Sequence, residues 1–155
     1  MFTIQNVKSK LPILNDSHRD WYYKGPFNDE EWAVGANGMG YESPGGPLED
    51  YAVTNLYELM RSPGRSSSVY VRYEFDFENV ENLNSLIMRA MIDDGFAAFL
   101  NGQKVVSFQA PDELSFDSRA TKSRLDSLVV RESSLPSFDL MEFKNLLRKG
   151  KNVVA

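Results

Sequence analysis

The chain has 155 residues, 42% hydrophobic and 12% aromatic, a length and composition suited to one globular domain with a real core. Its 17 basic residues against 22 acidic ones give a net charge of −5. No Lys/Arg block stands out, so the footprint of a nucleic-acid binder is missing, and no apolar run approaches the roughly 18 residues of a membrane span. Cysteine is absent and His18 is the single histidine, which excludes disulfides, thiolate nucleophiles and zinc sites built on cysteine or several histidines.

The first 20 residues lack a charged stretch followed by an apolar core, so no signal peptide is read there. His18 lies in a polar stretch, Asn15 to Asp20, and reads as a solvated loop residue rather than the base of a triad. Aromatic residues then gather at Trp21, Tyr22, Tyr23 and Trp32, and again at Tyr41, Tyr51 and Tyr57. Sugar rings present apolar C–H faces that stack on aromatic rings, and their hydroxyls need polar neighbours. Exposed aromatics beside Asn, Asp and Arg therefore suit a glycan site, with Trp21, Tyr23, Tyr41, Tyr51 and Tyr57 as candidates. The competing reading is packing, strongest for Trp32.

The glycines between Gly35 and Pro47 fit neither GxxxxGK[ST] nor GxGxxG and read as a tight surface loop. Leu48 to Met60 has weak helical spacing at Leu48, Tyr51, Ala52, Leu56 and Leu59. Arg61 to Ser68 reads as a flexible connector.

Val69 to Phe77 alternates cleanly. Val69, Val71, Tyr73, Phe75 and Phe77 face a core; Tyr70, Arg72, Glu74 and Asp76 face water. Ser85 to Ile92 reads as a second strand, with Leu86, Met88, Ala90 and Ile92 on one side. A hairpin follows, turned at Asn101-Gly102, because a type I′ turn needs positive φ at both positions. A plain two-residue loop sets Leu100 opposite Gln103 and Ala98 opposite Val105. Leu125 to Arg131 is a further expected strand. A helical turn over Met141 to Leu147 is expected to end at Gly150. Lys151 to Ala155 begins another strand that looks cut short, which predicts an unpaired edge.

Asp93-Asp94-Gly95 precedes the hairpin. Adjacent residues of a strand point to opposite faces, so the two carboxylates do not flank one bond there; in a turn they can converge. Three readings stay open: capping of backbone N–H groups, a structural calcium, and a salt bridge to Arg72. Catalysis is not expected, and no other cofactor is.

Five segments in order then carry a resemblance: PFNDEEW (Pro26 to Trp32), GMGYE (Gly38 to Glu42), YVRYEF (Tyr70 to Phe75), DDGFAAFLNGQKV (Asp93 to Val105) and LLRKGKNVVA (Leu146 to Ala155). Together they resemble the galactose-binding-like jelly-roll accessory domain of large secreted bacterial proteins, similar to the sugar-binding domain of family 2 glycoside hydrolases. The resemblance covers roughly residues 21 to 155. It implies an all-β jelly-roll β-sandwich with one or two short helices, forming a single domain over residues 1 to 155 of a longer chain. It further implies a noncatalytic module, secreted or at the cell surface, that binds carbohydrate weakly or packs as a spacer on neighbouring domains of its own polypeptide. The matching positions Trp32, Tyr41, Arg72, Asp93, Asp94, Gly95, Asn101 and Gly102 mark the fold more than a ligand site. The family's Gly-Tyr-Gly has become Gly40-Tyr41-Glu42, and the stretch from Tyr41 to Tyr70 is longer than usual.

Overall fold

The alternation from Val69 to Phe77 yields the longest of the described strands. In the computed structural model, which describes residues 7–10, 22, 28, 30, 32–61, 67–115 and 117–155 (side chains of 7–10, 58 and 59 apart), strands are mostly antiparallel and helices short. The strands are β1 (Val7–Lys10), β2 (Ala33–Gly35), β3 (Met39–Gly40), β4 (Thr54–Asn55), β5 (Tyr70–Phe77), β6 (Ile87–Arg89), β7 (Phe96–Leu100), β8 (Gln103–Phe108), β9 (Ser137–Asp139) and β10 (Gly150–Val154). Two single-turn helices, α1 (Tyr57–Met60) and α2 (Asp126–Val129), and three 3-10 turns complete the described elements. Six strands form one sheet in the order β2-β1-β5-β10-β7-β8; β3-β4 and β6-β9 form small sheets of their own.

The hairpin forms at the expected turn. Asn101 has φ 49° and Gly102 φ 97°, the left-handed pair that a type I′ turn demands. Its register departs from expectation. Leu100 pairs with Gln103 and Phe99 with Lys104, but Ala98 then pairs with Val106, not Val105. Val105 is the extra residue of a β-bulge, and every β8 residue beyond it changes face. Val106 and Phe108 thereby join Ala98 and Phe96 on the core side. The rings of Phe96 and Phe108 lie 6.3 Å apart, and Phe138 of β9 sits edge-on to them at 5.7 and 5.9 Å. The β6-β9 pair is thus laid across the β7-β8 face, with Met88 and Leu140 filling the same cluster.

Other expectations are corrected. Ser85 to Ile92 keeps its alternation, with Leu86, Met88, Ala90 and Ile92 half-buried, yet only Ile87–Arg89 pairs as strand. Leu125 to Arg131 is not a strand but the turn α2, closed by Val130 N–H to Asp126 O at 3.3 Å. Val129 alone anchors it in the interior at 2% exposure, so tertiary packing overrides the β-branched run. Leu48 to Met60 is no single helix. A 3-10 turn (Glu49–Tyr51), the strand β4 and α1 share it, and among its described side chains only Leu48 and Leu56 are buried. The helical turn over Met141–Leu146 ends in an extended Leu147, before Gly150, which instead opens β10 at φ 82°. Of the connector Arg61 to Ser68, residues 62–66 lie outside the described ones.

β10 is an inner strand of the sheet. The strand lies inside the sheet, matched to β5 from Gly150↔Phe77 to Val154↔Tyr73 and to β7 at Val154↔Leu100. Ala155 and Phe99 exchange backbone hydrogen bonds at 2.8 and 3.0 Å. With both neighbours in place, Val153 and Asn152 are fully buried.

Candidate functional site

A broad groove opens between the 37–61 loop region and the sheet. At about 2510 Å³ it is lined by segments spread from Tyr22 to Ala155, an open surface depression rather than a pocket of the roughly 300–1,000 Å³ that encloses a small molecule. Tyr41, Tyr51 and Tyr57 all line it, as do Glu42, Arg61 and Asp93.

The tyrosines reach this groove because the loop is pinned close to the sheet. Gly35 passes so near β4 that a Cβ there would stand 2.6 Å from the Thr54 side chain. β3 and β4 pair in parallel at Met39↔Thr54 and Gly40↔Asn55. Asn55 Oδ1 accepts from Tyr57 N–H at 2.8 Å and starts α1. Tyr41 and Tyr57 thereby meet edge to face, ring centroids 6.1 Å apart, and the Arg61 guanidinium lies 5.9 Å from the Tyr41 ring centre. Tyr57 is 46% exposed and Tyr51 43%, so aromatic surface remains accessible. Tyr51 stands apart, on the 3-10 turn whose backbone presses against Gly38. Trp21 and Tyr23 lie outside the described residues. Their neighbour Tyr22 stacks on Phe99 with centroids 4.5 Å apart.

The two aspartates do converge. The Asp93–Asp94 peptide bond is cis, and Asp94 Oδ1 accepts from Arg124 N–H at 2.7 Å, so this carboxylate caps backbone, though of a distant segment rather than its own turn. Partial burial, then the charges of Asp94 and Asp126, a hydrogen bond with Asp94, and the charge of Glu42 push the Asp93 carboxyl up to about 6. Among the described residues, no group of three or more His, Asp or Glu side chains is placed to hold a metal ion. Arg72 does not turn toward the aspartates. Its side chain, 2% exposed, pairs with Glu74 at 2.9 Å, and Glu74 also takes Lys151 at 2.9 Å. The expectation that Arg72 faces water fails only locally: Glu74 and Asp76 on the same face of β5 are exposed, while Arg72 itself is buried.

Trp32, Gly95 and Asn101 of the motif are enclosed by the fold. Trp32 is 4% exposed. A Cβ on Gly95 would stand 2.7 Å from Gln109 O and 2.9 Å from Phe108 O, so only glycine passes there. Asn101 spends its amide inside the fold, on Leu146 O, Asn152 Oδ1 and Val153 N–H. Sequence reasoning missed Arg61, hidden in a connector, and Glu42, whose proximity to Asp93 no spacing reveals. It also missed Asn152, whose signal was a polar residue inside an apolar strand.

No family model, curated protein or solved structure matches the chain. Among the described residues no helix is long and apolar enough to cross a membrane.

Proposed function

We propose that this chain is a noncatalytic accessory module, of galactose-binding-like jelly-roll sandwich type, that binds carbohydrate weakly at the tyrosine groove and works outside the cell. The observation that carries the reading is the Tyr41–Tyr57 corner. It sets the 46%-exposed ring of Tyr57 at an open groove, edge to face with Tyr41, with Arg61 and Glu42 at hand for hydroxyl groups. Weak binding fits a site with few rings and exposed polar partners. The packing of β6-β9 across β7-β8 supports the sandwich.

Affinity electrophoresis through gels containing neutral and acidic polysaccharides tests this. At least one glycan should retard the protein, and Tyr41→Ala or Tyr57→Ala should abolish the retardation while leaving cooperative unfolding intact. A folded protein that no glycan retards overturns the reading. That result would favour a second one, a spacer that packs on neighbouring domains, which draws support from the inward-turned polar groups of Arg72, Asp94 and Asn101.

A further inference from the structure

The Asn-Gly dipeptide occurs twice in the chain, at Asn37-Gly38 and at Asn101-Gly102. Asparagine is a thermolabile residue, and glycine after it carries no side chain to shield its nitrogen. That nitrogen can therefore close on Cγ of the asparagine, an intramolecular reaction whose rate depends on how the two groups are held. The fold holds the two copies in opposite ways. Asn101 is locked. It is 9% exposed, its Nδ2 donates to Leu146 O and Asn152 Oδ1, and its Oδ1 accepts from Val153 N–H. Turning its amide toward the Gly102 nitrogen breaks all three bonds.

Asn37 is poised instead. It lies exposed in the bend between β2 and β3. Gly38 N–H donates to Asn37 Oδ1 at 3.0 Å, and among the described residues it reaches no backbone oxygen. Cγ is bonded to that Oδ1, so the side-chain amide is folded back against the nitrogen that attacks it. The Tyr73 hydroxyl approaches the same Oδ1 from 3.4 Å, on the oxygen where negative charge develops as Cγ becomes tetrahedral. The fold also demands the glycine. Gly38 has φ 95°, and a Cβ there would run into Tyr51 O, so no bulkier residue can take its place and slow the attack.

We propose that Asn37-Gly38 is a site of spontaneous covalent modification, at which the Gly38 nitrogen displaces ammonia from the Asn37 side chain and the product opens to aspartate or isoaspartate. The bond from the Gly38 nitrogen to Cγ forms, the Cγ–Nδ2 bond breaks, and the proton lost by the attacking nitrogen leaves with Nδ2 as ammonia. The cyclic imide so formed takes up one water. Cleavage at Cγ gives aspartate; cleavage at the backbone carbonyl carbon gives isoaspartate, with the chain rerouted through the side chain. Water is the only co-reactant. Both products add a negative charge where Asn37 lines the groove. Isoaspartate also inserts a methylene into the backbone. The insertion falls just before Gly38, whose O accepts from Thr54 N–H at 3.0 Å, and beside the Met39↔Thr54 pairing. The rearranged chain therefore loosens β3 from β4.

The test ages the 155-residue protein, folded and urea-unfolded, in the same warm, mildly alkaline buffer. Peptide mapping by mass spectrometry follows both sites, and chromatography separates their aspartyl and isoaspartyl products. In urea both sites are plain Asn-Gly and react alike. Folding should slow Asn101 by about tenfold or more and leave Asn37 at the unfolded rate or above it. Asn37→Gln, whose longer side chain would have to close a larger ring, should yield no product at position 37. In the purified isoaspartyl protein, amide exchange at Thr54 should quicken by about tenfold or more. Two results overturn the proposal: folding that slows Asn37 below its unfolded rate, or Thr54 exchange unchanged in the isoaspartyl form. No readout here involves a glycan, so the outcome stands apart from the ligand proposed for the groove.

Discussion

Asn101 Nδ2 donates to Asn152 Oδ1 at 2.8 Å, and this bond joins the hairpin turn to the innermost stretch of β10. Each partner uses its other groups as well. Asn101 Oδ1 accepts from Val153 N–H at 2.9 Å, and its second N–H reaches Leu146 O at 2.7 Å. Asn152 accepts from Arg148 N–H and donates to Arg148 O and Gly150 O. A buried amide pair is worth keeping only when it is fully satisfied, and this one is.

Replacing either asparagine strands buried partners. Asn101→Ala and Asn152→Ala should each lower unfolding free energy by about 1–3 kcal/mol. The double variant should lose less than the sum, since each single change already breaks the shared bond. Urea unfolding of all four proteins checks this, and strict additivity would show the two side chains to be energetically separate.

Tyr57→Ala removes a half-exposed ring together with its edge contact to Tyr41, so its unfolding free energy should fall by no more than about 1.5 kcal/mol. Any glycan affinity should fall by about tenfold, the loss of one stacking contact. Isothermal titration beside thermal unfolding separates the two effects.

The Asp93 carboxyl sits above its ordinary range, at about 6. The folded protein therefore holds a proton that the unfolded chain releases near its ordinary value of 3.8, and this group's contribution to stability falls as pH rises from about 4 to about 6. Asp93→Asn stays neutral throughout. The stability of the variant relative to the parent should rise across that window and level off above it. Urea unfolding of both proteins between pH 4 and pH 7.5 reads the difference, and a flat difference would show that Asp93 titrates alike in the two states.

Gly95→Ala forces a Cβ against the backbone of Phe108 and Gln109. Backbone cannot swing aside as a flexible side chain would, so the substitution should cost about 1–3 kcal/mol. An unchanged melting temperature would mean that the Asp93–Gly95 turn can move as a unit.

The sequence discloses the hairpin because its turn chemistry is local. Asn101 and Gly102 must adopt positive φ whatever surrounds them. It hides the bulge because Val105 and Val106 are both apolar, and either satisfies a core-facing position until Phe138 arrives to fix the choice. Arg72 misleads for a similar reason. Alternation tells which residues share a face but not that one end of it, at Arg72, is covered while Glu74 and Asp76 stay exposed. The short helix α2 escapes because one buried valine decides it. Of the site, the tyrosines are visible as residue types, whereas the meeting of Tyr41, Tyr57 and Arg61 depends on β3-β4 pairing, two residues long, too brief to leave a pattern.

The position of β10 also orders events during synthesis. Of the described strands it is the last to leave the ribosome, yet it stands between β5 and β7. The β2-β1-β5 and β7-β8 parts of the sheet must therefore wait apart, each with an inner edge bare, until residues 150–154 emerge. Such late, long-range closure slows folding and leaves nascent chains sticky, so the unfinished polypeptide is a natural client for chaperones that shield unpaired strands.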